Sequence, residues 1–364
     1  MAGALLTVRD LSVGFLTEQG LVRAVDGVSF DLEPGQTLGV VGESGSGKSV
    51  TAKALMNLLP SYAQVGGTVD FDGRDVFAMG ANREKHFWGV EMTMVFQDPM
   101  TSLNPVKKIG EQIAESLRVH LGRSRRDALA EAGDLLEQVG IPEPAKRLTQ
   151  YPHELSGGLR QRVVIAMALA CGPRLLIADE PTTALDVTVQ KHILDLLDDL
   201  RRARGMAMIL ITHDLGVVKG RADEVMVMYA GHTMEEAPTA TLFAEMRHPY
   251  TEALLETIPR IDTPSHTRLV PIPGRPPEVI DVLDGCPFAP RCRYSIARCL
   301  TDQPGLTSHG AGHLCACHAP VGTPSGTEAR AANESTGTTA AGLDMDQFTR
   351  NVPVADLGQS GEEG

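Results

Sequence analysis

The stretch that most constrains this chain is Gly42-Glu43-Ser44-Gly45-Ser46-Gly47-Lys48-Ser49. A glycine, four residues and then Gly-Lys-Ser form the complete phosphate-loop pattern, which a Gly/Ser-rich turn could match only by chance. An apolar run, 37–41, precedes it and indicates a buried strand, while 50–59 has helix-forming residues. The three glycines let backbone N–H groups point at phosphate oxygens, and a helix N-terminus adds positive charge. We therefore expect Lys48 to reach the β- and γ-phosphates of a nucleotide, and the Ser49 hydroxyl to bind Mg²⁺.

Length and charge limit the classes of protein that the chain can belong to. Its 364 residues are enough for one large or two ordinary domains. A net charge of −13 argues against a nucleic-acid binder, which normally presents a basic face. The sequence has no signal peptide pattern and no apolar run near the ~18 residues that span a bilayer. We therefore expect a soluble, cytoplasmic chain whose membrane role, if it has one, comes through partners.

The order of apolar segments predicts an α/β fold. After the phosphate loop, strand-like runs at 175–178 and 207–211 alternate with a helix at 187–204, which indicates a parallel sheet with crossover helices. The N-terminal residues 5–32 have the alternation of short strands. Helical patterns dominate between Gln97 and Gly157, so this part is expected to stand apart as a lobe.

A second pair of residues completes the chemistry of the phosphate loop. Asp179-Glu180 follows four apolar residues at the end of a predicted strand. Asp179 can hold Mg²⁺ through water, and Glu180 is placed to polarise the attacking water. The structural alternative is a solvated strand end. Phe15 is either a strand-face aromatic or a platform for a nucleotide base.

With Gln97, Leu155-Ser156-Gly157-Gly158, Ala184-Leu185-Asp186 and His213 in this order, the chain resembles the ATPase subunit of an ATP-binding-cassette (ABC) transporter. The resemblance implies a P-loop NTPase fold, with a RecA-like parallel core, N-terminal antiparallel strands and an inserted helical subdomain. A small loop-rich extension follows the cassette. The predicted domains are 1–258 for the ATPase domain with its subdomain at about 98–160, 259–320 for the extension, and 321–364 for a disordered tail.

The resemblance also implies a role for each motif residue. Phe15 stacks on adenine, Gln97 contacts Mg²⁺ and the lytic water, and His213 touches the γ-phosphate and holds Glu180. Ser156, Gly157 and Gly158 bind the ATP held by the opposite subunit, and Asp186 communicates across that interface. One residue departs from the family, because position 159 is Leu where Gln is usual.

Longer segments of the sequence indicate which branch of the family the chain resembles. The segments 96–105, 181–188, 248–251 and 272–277 resemble the di- and oligopeptide importers, whose close relatives carry nickel. That branch implies a peripheral subunit at the cytoplasmic face of the membrane. Its partners would be a similar but distinct ATPase subunit, two permeases and, indirectly, an extracytoplasmic substrate-binding protein. Dipeptide, longer peptide, nickel chelate and glycoside all remain open as cargo.

The alternative from a different class of function is a soluble ATPase that acts on nucleic acid. Soluble cassette ATPases of DNA repair or translation bind nucleic acid, and they typically split the cassette with a coiled coil or join two cassettes. This chain has one uninterrupted cassette, no sustained heptads and a strong negative charge. These features favour the transporter subunit.

Five of the six cysteines fall between residues 286 and 317, in a Pro- and Gly-rich segment. Such a segment has little apolar sequence with which to build a core, so an inorganic centre is one way to order it. The spacings are wider than those of zinc knuckles, and some members of the resembled branch carry an iron–sulfur site. We therefore expect a [4Fe–4S] cluster, with zinc or free thiols as alternatives. Its expected ligands are Cys286, Cys292, Cys299 and Cys317. Cys315 is the alternative fourth ligand, and the resemblance favours Cys317 through its Ala-Cys-His context.

Overall fold

The computed structural model describes residues 3–18, 20–79, 87–183, 185–258, 272–277, 284–310 and 312–348. The strands are β1 (Leu6–Thr17), β2 (Gly20–Leu32), β3 (Thr37–Val41), β4 (Ala63–Phe71), β5 (Arg74–Asp75), β6 (Met92–Val95), β7 (Leu175–Asp179), β8 (Ala207–Thr212), β9 (Glu224–Tyr229), β10 (His232–Pro238), β11 (Thr307–Ser308) and β12 (Leu314–Cys315). The helices are α1 (Lys48–Leu55), α2 (Pro99–Ser102), α3 (Ile109–Leu121), α4 (Arg125–Gln138), α5 (Pro144–Arg147), α6 (Gly157–Leu169), α7 (Val187–Arg204), α8 (Leu215–Val218), α9 (Thr239–Glu245), α10 (Pro249–Glu256) and α11 (Pro324–Thr336). Short 3₁₀ turns cover Pro152–Glu154, Ala289–Arg291, Ala297–Leu300 and Met345–Phe348.

The main sheet has eight strands in the order β11-β12-β10-β9-β3-β8-β7-β6. Strands β9, β3, β8, β7 and β6 are parallel, as expected for strands joined by crossover helices. Side chains alternate between two buried faces, so that Ile177 packs into one core and Ala178 into the other. Parallel strands buried on both faces explain why these segments read as continuous apolar runs in the sequence.

A second, antiparallel sheet lies over one face of the first. Its order is β2-β1-β4-β5. The core between the two sheets contains apolar residues of β1, β2, β4 and α1 together with residues of the main sheet. The N-terminal strands therefore cover the helix that follows the phosphate loop.

The predicted helical lobe consists of α2 to α6. Ile109, Ile113 and Leu117 of α3 recur on one face and are buried. The Ser124 hydroxyl begins α4 by accepting a hydrogen bond from the Asp127 N–H at 3.2 Å. Within the described ranges, no helix combines the length and the apolar character that a bilayer crossing requires.

The C-terminal part of the chain is joined to the main sheet. β12 pairs antiparallel with β10, and β11 pairs with β12. Where the sequence predicted a disordered tail, residues 324–336 form α11, capped by the Thr323 hydroxyl. Asn333 fixes this helix by donating to the carbonyl oxygens of Arg293 and Ser295 at 3.0 and 3.1 Å. Hydrogen bonds from a polar side chain therefore hold this helix in place, although its composition is that of a disordered tail. Residues 349–364 lie outside the described residues.

Candidate functional site

The phosphate loop joins β3 to α1 and is shaped by close backbone contacts. A Cβ at Gly42 would lie 2.2 Å from the Met228 carbonyl oxygen, and one at Gly47 would lie 2.4 Å from the Ala24 carbonyl oxygen. Gly47 also has a φ of +99°, in the left-handed region. These two positions therefore require glycine, and the loop lies directly against β9 and β2.

The side chain of Lys48 lies inside the loop and is only 4% exposed. Its Nζ donates to the carbonyl oxygens of Gly42 and Glu43 at 2.7 and 2.8 Å, and to Ser46 Oγ at 3.2 Å. Burial lowers the pKa of Lys48, and the neighbouring carboxylates, Glu180 first, act in the opposite direction. A cation held by neutral acceptors in this way can exchange them for phosphate oxygens.

Two oxygen-bearing side chains meet at the start of α1. Ser49 Oγ donates to Asp179 Oδ1 at 2.9 Å, and Asp179 ends β7. Burial raises the pKa of the Asp179 carboxyl, while the Ser49 hydrogen bond lowers it. A hydroxyl and a carboxylate are the hard oxygen ligands that Mg²⁺ prefers, so these residues fit that ion.

Three donors converge on the carboxylate of Glu180. Its Oε2 lies 3.0 Å from Gln97 Nε2, 2.8 Å from Thr183 Oγ1 and 3.4 Å from His213 Nδ1. Glu180 has a φ of +46°, which is uncommon for a residue with a Cβ. The structure thus brings together Glu180, Gln97 and His213. It adds Thr183, which lies in the matched segment 181–188 but for which the sequence predicted no role.

The Leu155–Gly158 motif lies at the N-terminus of α6. The Ser156 hydroxyl accepts from the Leu159 N–H at 3.4 Å, and both Ser156 and Gly157 are exposed. A Cβ at Gly158 would come within 2.9 Å of a Val189 methyl group, so Gly158 lets α6 approach α7 closely. Leu159 contributes its backbone to the cap and packs its side chain against the core. The N–H groups of this helix end therefore face outward.

Two further predicted residues lie at the surface or near it. Asp186 caps α7 by accepting from the Val189 N–H at 2.9 Å and is exposed, whereas Ala184 lies outside the described residues. Phe15 is half-buried on β1 and contacts Tyr62 edge to face, with ring centroids 6.3 Å apart. The rings of Phe15 and Tyr62 thus form an aromatic surface, of which the sequence predicted only Phe15.

The predicted iron–sulfur cluster is wrong. Among the described residues, no three His, Cys, Asp or Glu side chains form a group that could hold a metal ion. All six cysteines are free. Burial raises the pKa of Cys286 to about 11 and that of Cys317 to about 12, and burial likewise raises the pKa of Cys292 and Cys299. The four predicted ligands therefore do not form a metal centre in the part of the chain that the structure describes.

The reason is that the segment is ordered by ordinary packing. The ring of Phe288 lies 5.3 Å from that of Tyr229 and 5.2 Å from that of Tyr250, inside the main core. Arg293 forms ion pairs of 2.6 Å with both Glu252 and Glu256 of α10. The segment does not need a core of its own, because it shares the core of the cassette.

Another contact joins this segment to the phosphate loop. The guanidinium of Arg291 forms a bidentate ion pair with Glu43, with N···O distances of 2.5 and 3.1 Å. The two residues are 248 positions apart. Local sequence patterns carry no signal for such a pair, although Glu43 itself lies in the phosphate-loop motif.

A parallel sheet, a phosphate loop at its edge and a carboxylate with three donors beside it define a nucleotide-hydrolysing P-loop cassette. A family model described as ABC transporter matches residues 25–183, and one described as oligopeptide/dipeptide transporter, C-terminal region, matches residues 234–299. The chain belongs to the ABC transporter family and is an ATPase of that family, as the sequence predicted.

Curated relatives give the particular kind of protein that the chain is similar to. It is 49% identical over 320 residues to the oligopeptide transport ATP-binding protein OppD of Salmonella typhimurium, covering 88% of this chain and 95% of that protein. The OppD of Haemophilus influenzae is 50% identical, covering 86% of this chain and 96% of that protein. Among solved structures, a dimeric, post-hydrolysis ATP-binding cassette, MJ0796, bound to ADP and phosphate, matches with a TM-score of 0.58. At 24% identity, over 64% of this chain and 98% of that one, this match shows the fold alone.

Proposed function

We propose that this chain is the ATP-hydrolysing subunit that powers a membrane importer of di- or oligopeptides, bound to the cytoplasmic face of the membrane. The observation that carries the hydrolytic part is the convergence of three donors on Glu180, beside the Ser49–Asp179 pair. The cargo rests on the similarity to OppD proteins and on the matched C-terminal region.

In this proposal, the chain's own residues prepare a water molecule for attack on the γ-phosphate. Gln97, Thr183 and His213 fix the Glu180 carboxylate, which accepts the proton of that water. Lys48 exchanges its loop carbonyls for phosphate oxygens.

Phe15 supports the base, and backbone N–H groups of the loop, from Gly42, Ser44, Gly45 and Gly47, surround the phosphates. Ser49, Asp179 and Gln97 would hold Mg²⁺, which when bound neutralises phosphate charge.

The exposed helix end of α6 supports an assembly of two cassettes. Ser156, Gly157 and Gly158 present outward N–H groups, as a site for the ATP of an opposite subunit would. Asp186, at the N-terminus of α7, is also exposed and would contact the same interface. The opposite subunit in our proposal is a similar but distinct ATPase, and two permease subunits complete the complex.

The test is reconstitution of the full complex in vesicles, with the extracytoplasmic binding protein added. We expect ATP hydrolysis and uptake to rise together when dipeptides or longer peptides are supplied. A nickel chelate serves as the control cargo. Stimulation by the chelate and by none of the peptides would refute peptide import while leaving the ATPase assignment intact.

A further inference from the structure

We propose that Arg291 is a positioning residue for the phosphate loop, so that ATP binding depends on the C-terminal segment. The inference rests on the proposed nucleotide site and adds a residue to it. Arg291 ends the 3₁₀ turn Ala289–Arg291 and is 3% exposed. No motif role was assigned to it, and it lies far along the chain from the cassette motifs.

The guanidinium of Arg291 uses all of its donor groups. Nη1 and Nη2 bind the two carboxylate oxygens of Glu43, and Nη1 also donates to the Tyr229 hydroxyl at 3.1 Å. Nε donates to the Pro273 carbonyl oxygen at 2.8 Å, and Nη2 to that of Ile272 at 3.3 Å. Such a fully bonded, buried guanidinium is fixed in place, because five donors have a rigid planar arrangement.

Glu43 is correspondingly fixed at each of its polar groups. Its carboxylate binds Arg291, and its N–H donates to the Tyr250 hydroxyl at 2.8 Å. Its carbonyl oxygen accepts from Lys48 Nζ at 2.8 Å and from the Ser46 N–H at 3.2 Å. The second residue of the phosphate loop is thus attached to α10 and to the C-terminal segment as well as to its own loop.

Charge gives this attachment a consequence for the nucleotide. Glu43 is an anion inside a loop that must receive the polyanion ATP. At an effective dielectric constant of about 20, a unit charge about 10 Å away changes a binding constant by roughly tenfold. Arg291 neutralises Glu43 and fixes its carboxylate through the bidentate pair. Without Arg291, that carboxylate would be unpaired and would repel the phosphates.

The experiment measures the dissociation constant of MgATP for the full chain by equilibrium binding. Arg291→Gln should raise it by about tenfold. The double variant Glu43→Gln/Arg291→Gln removes both charges and should return to within about threefold of wild type. Arg293→Gln is the matched control: it removes a partly buried arginine of the same segment that pairs with α10, and it should change the constant by less than about twofold.

Melting temperatures separate this role from stability, because Arg291→Gln and Arg293→Gln should both lower them. If Arg291→Gln does not fold, Arg291→Lys, which keeps the charge but not the bidentate geometry, and the double variant carry the test. Wild-type affinity in Arg291→Gln, or a double variant as weak as the single one, would overturn the inference. A wild-type chain that does not bind MgATP would instead overturn the proposed nucleotide site.

Discussion

Replacing Glu180 by Gln tests the proposed chemistry most directly. The carboxylate side chain is 14% exposed; its Oε2 accepts from Gln97 and Thr183 and lies 3.4 Å from His213 Nδ1. In the part of the chain that the structure describes, these side chains approach the same oxygen, Oε2. Glutamine has the same shape and keeps one oxygen acceptor for the three donors. The substitution therefore removes the base with little other change.

The expected loss follows from that geometry. A positioned general base contributes about 10²- to 10⁴-fold to a rate, which corresponds to about 3 to 5 kcal/mol of transition-state stabilisation. Because the amide retains an acceptor at the same place, the free energy of unfolding should change by less than about 1 kcal/mol. ATP affinity should stay close to that of wild type.

The assay is phosphate release by the assembled complex at saturating MgATP, with ATP binding measured in parallel. Thr183→Val is the matched control, because it removes one orienting hydrogen bond but keeps the carboxylate; we expect about a tenfold lower kcat. Turnover by Glu180→Gln within about tenfold of wild type would refute the assignment of Glu180 as the base.

Three further outcomes are expected. Lys48→Ala should weaken MgATP binding at least tenfold in a titration, because the phosphates lose their buried counter-ion; unchanged affinity would contradict the site. Ser156→Ala should cost about 1 kcal/mol of unfolding free energy through the lost helix cap and should slow hydrolysis only in the dimer; equal slowing in the isolated chain would exclude action across an interface. Burial raises the pKa of Glu236 to about 7, with Glu224 and Asp31 adding to the effect. Because the pKa of Glu236 is higher in the folded than in the unfolded chain, the protein loses stability as pH rises from about 4.5 to 7. In denaturant titrations, Glu236→Gln should therefore raise the free energy of unfolding by about 2 to 3 kcal/mol at pH 8 and by little at pH 5. A gain that does not depend on pH would show that Glu236 is ionised at both.

Local chemistry made much of the nucleotide site predictable. The phosphate loop and Asp179-Glu180 are short motifs, and the residues that determine their backbone conformation are neighbours in the sequence. The predicted helix 187–204 coincides with α7, because its start is marked by Asp186 and its end by Gly205. Thr183 and Arg291 were not predicted, since their roles depend on which residues the fold brings near them.

The C-terminal region shows why the remaining predictions differed from the structure. The prediction of a cluster rests on a segment that must order itself, whereas Phe288 and Tyr294 of this segment lie in the core of the cassette. In the same way, α11 is polar yet ordered, because Asn333 reaches backbone carbonyl groups of a neighbouring turn. The composition of a segment does not show which distant parts of the same chain it will pack against.

The pairing of β12 with β10 has a consequence for any attempt to isolate the cassette. A chain ending at residue 258 would leave one side of β10 without its backbone partners, and such an open sheet edge promotes self-association. It would also leave the fully buried Glu235 without His313, whose Nε2 lies 2.7 Å from its carboxylate. Truncation at residue 258 should therefore favour aggregation over a smaller soluble ATPase.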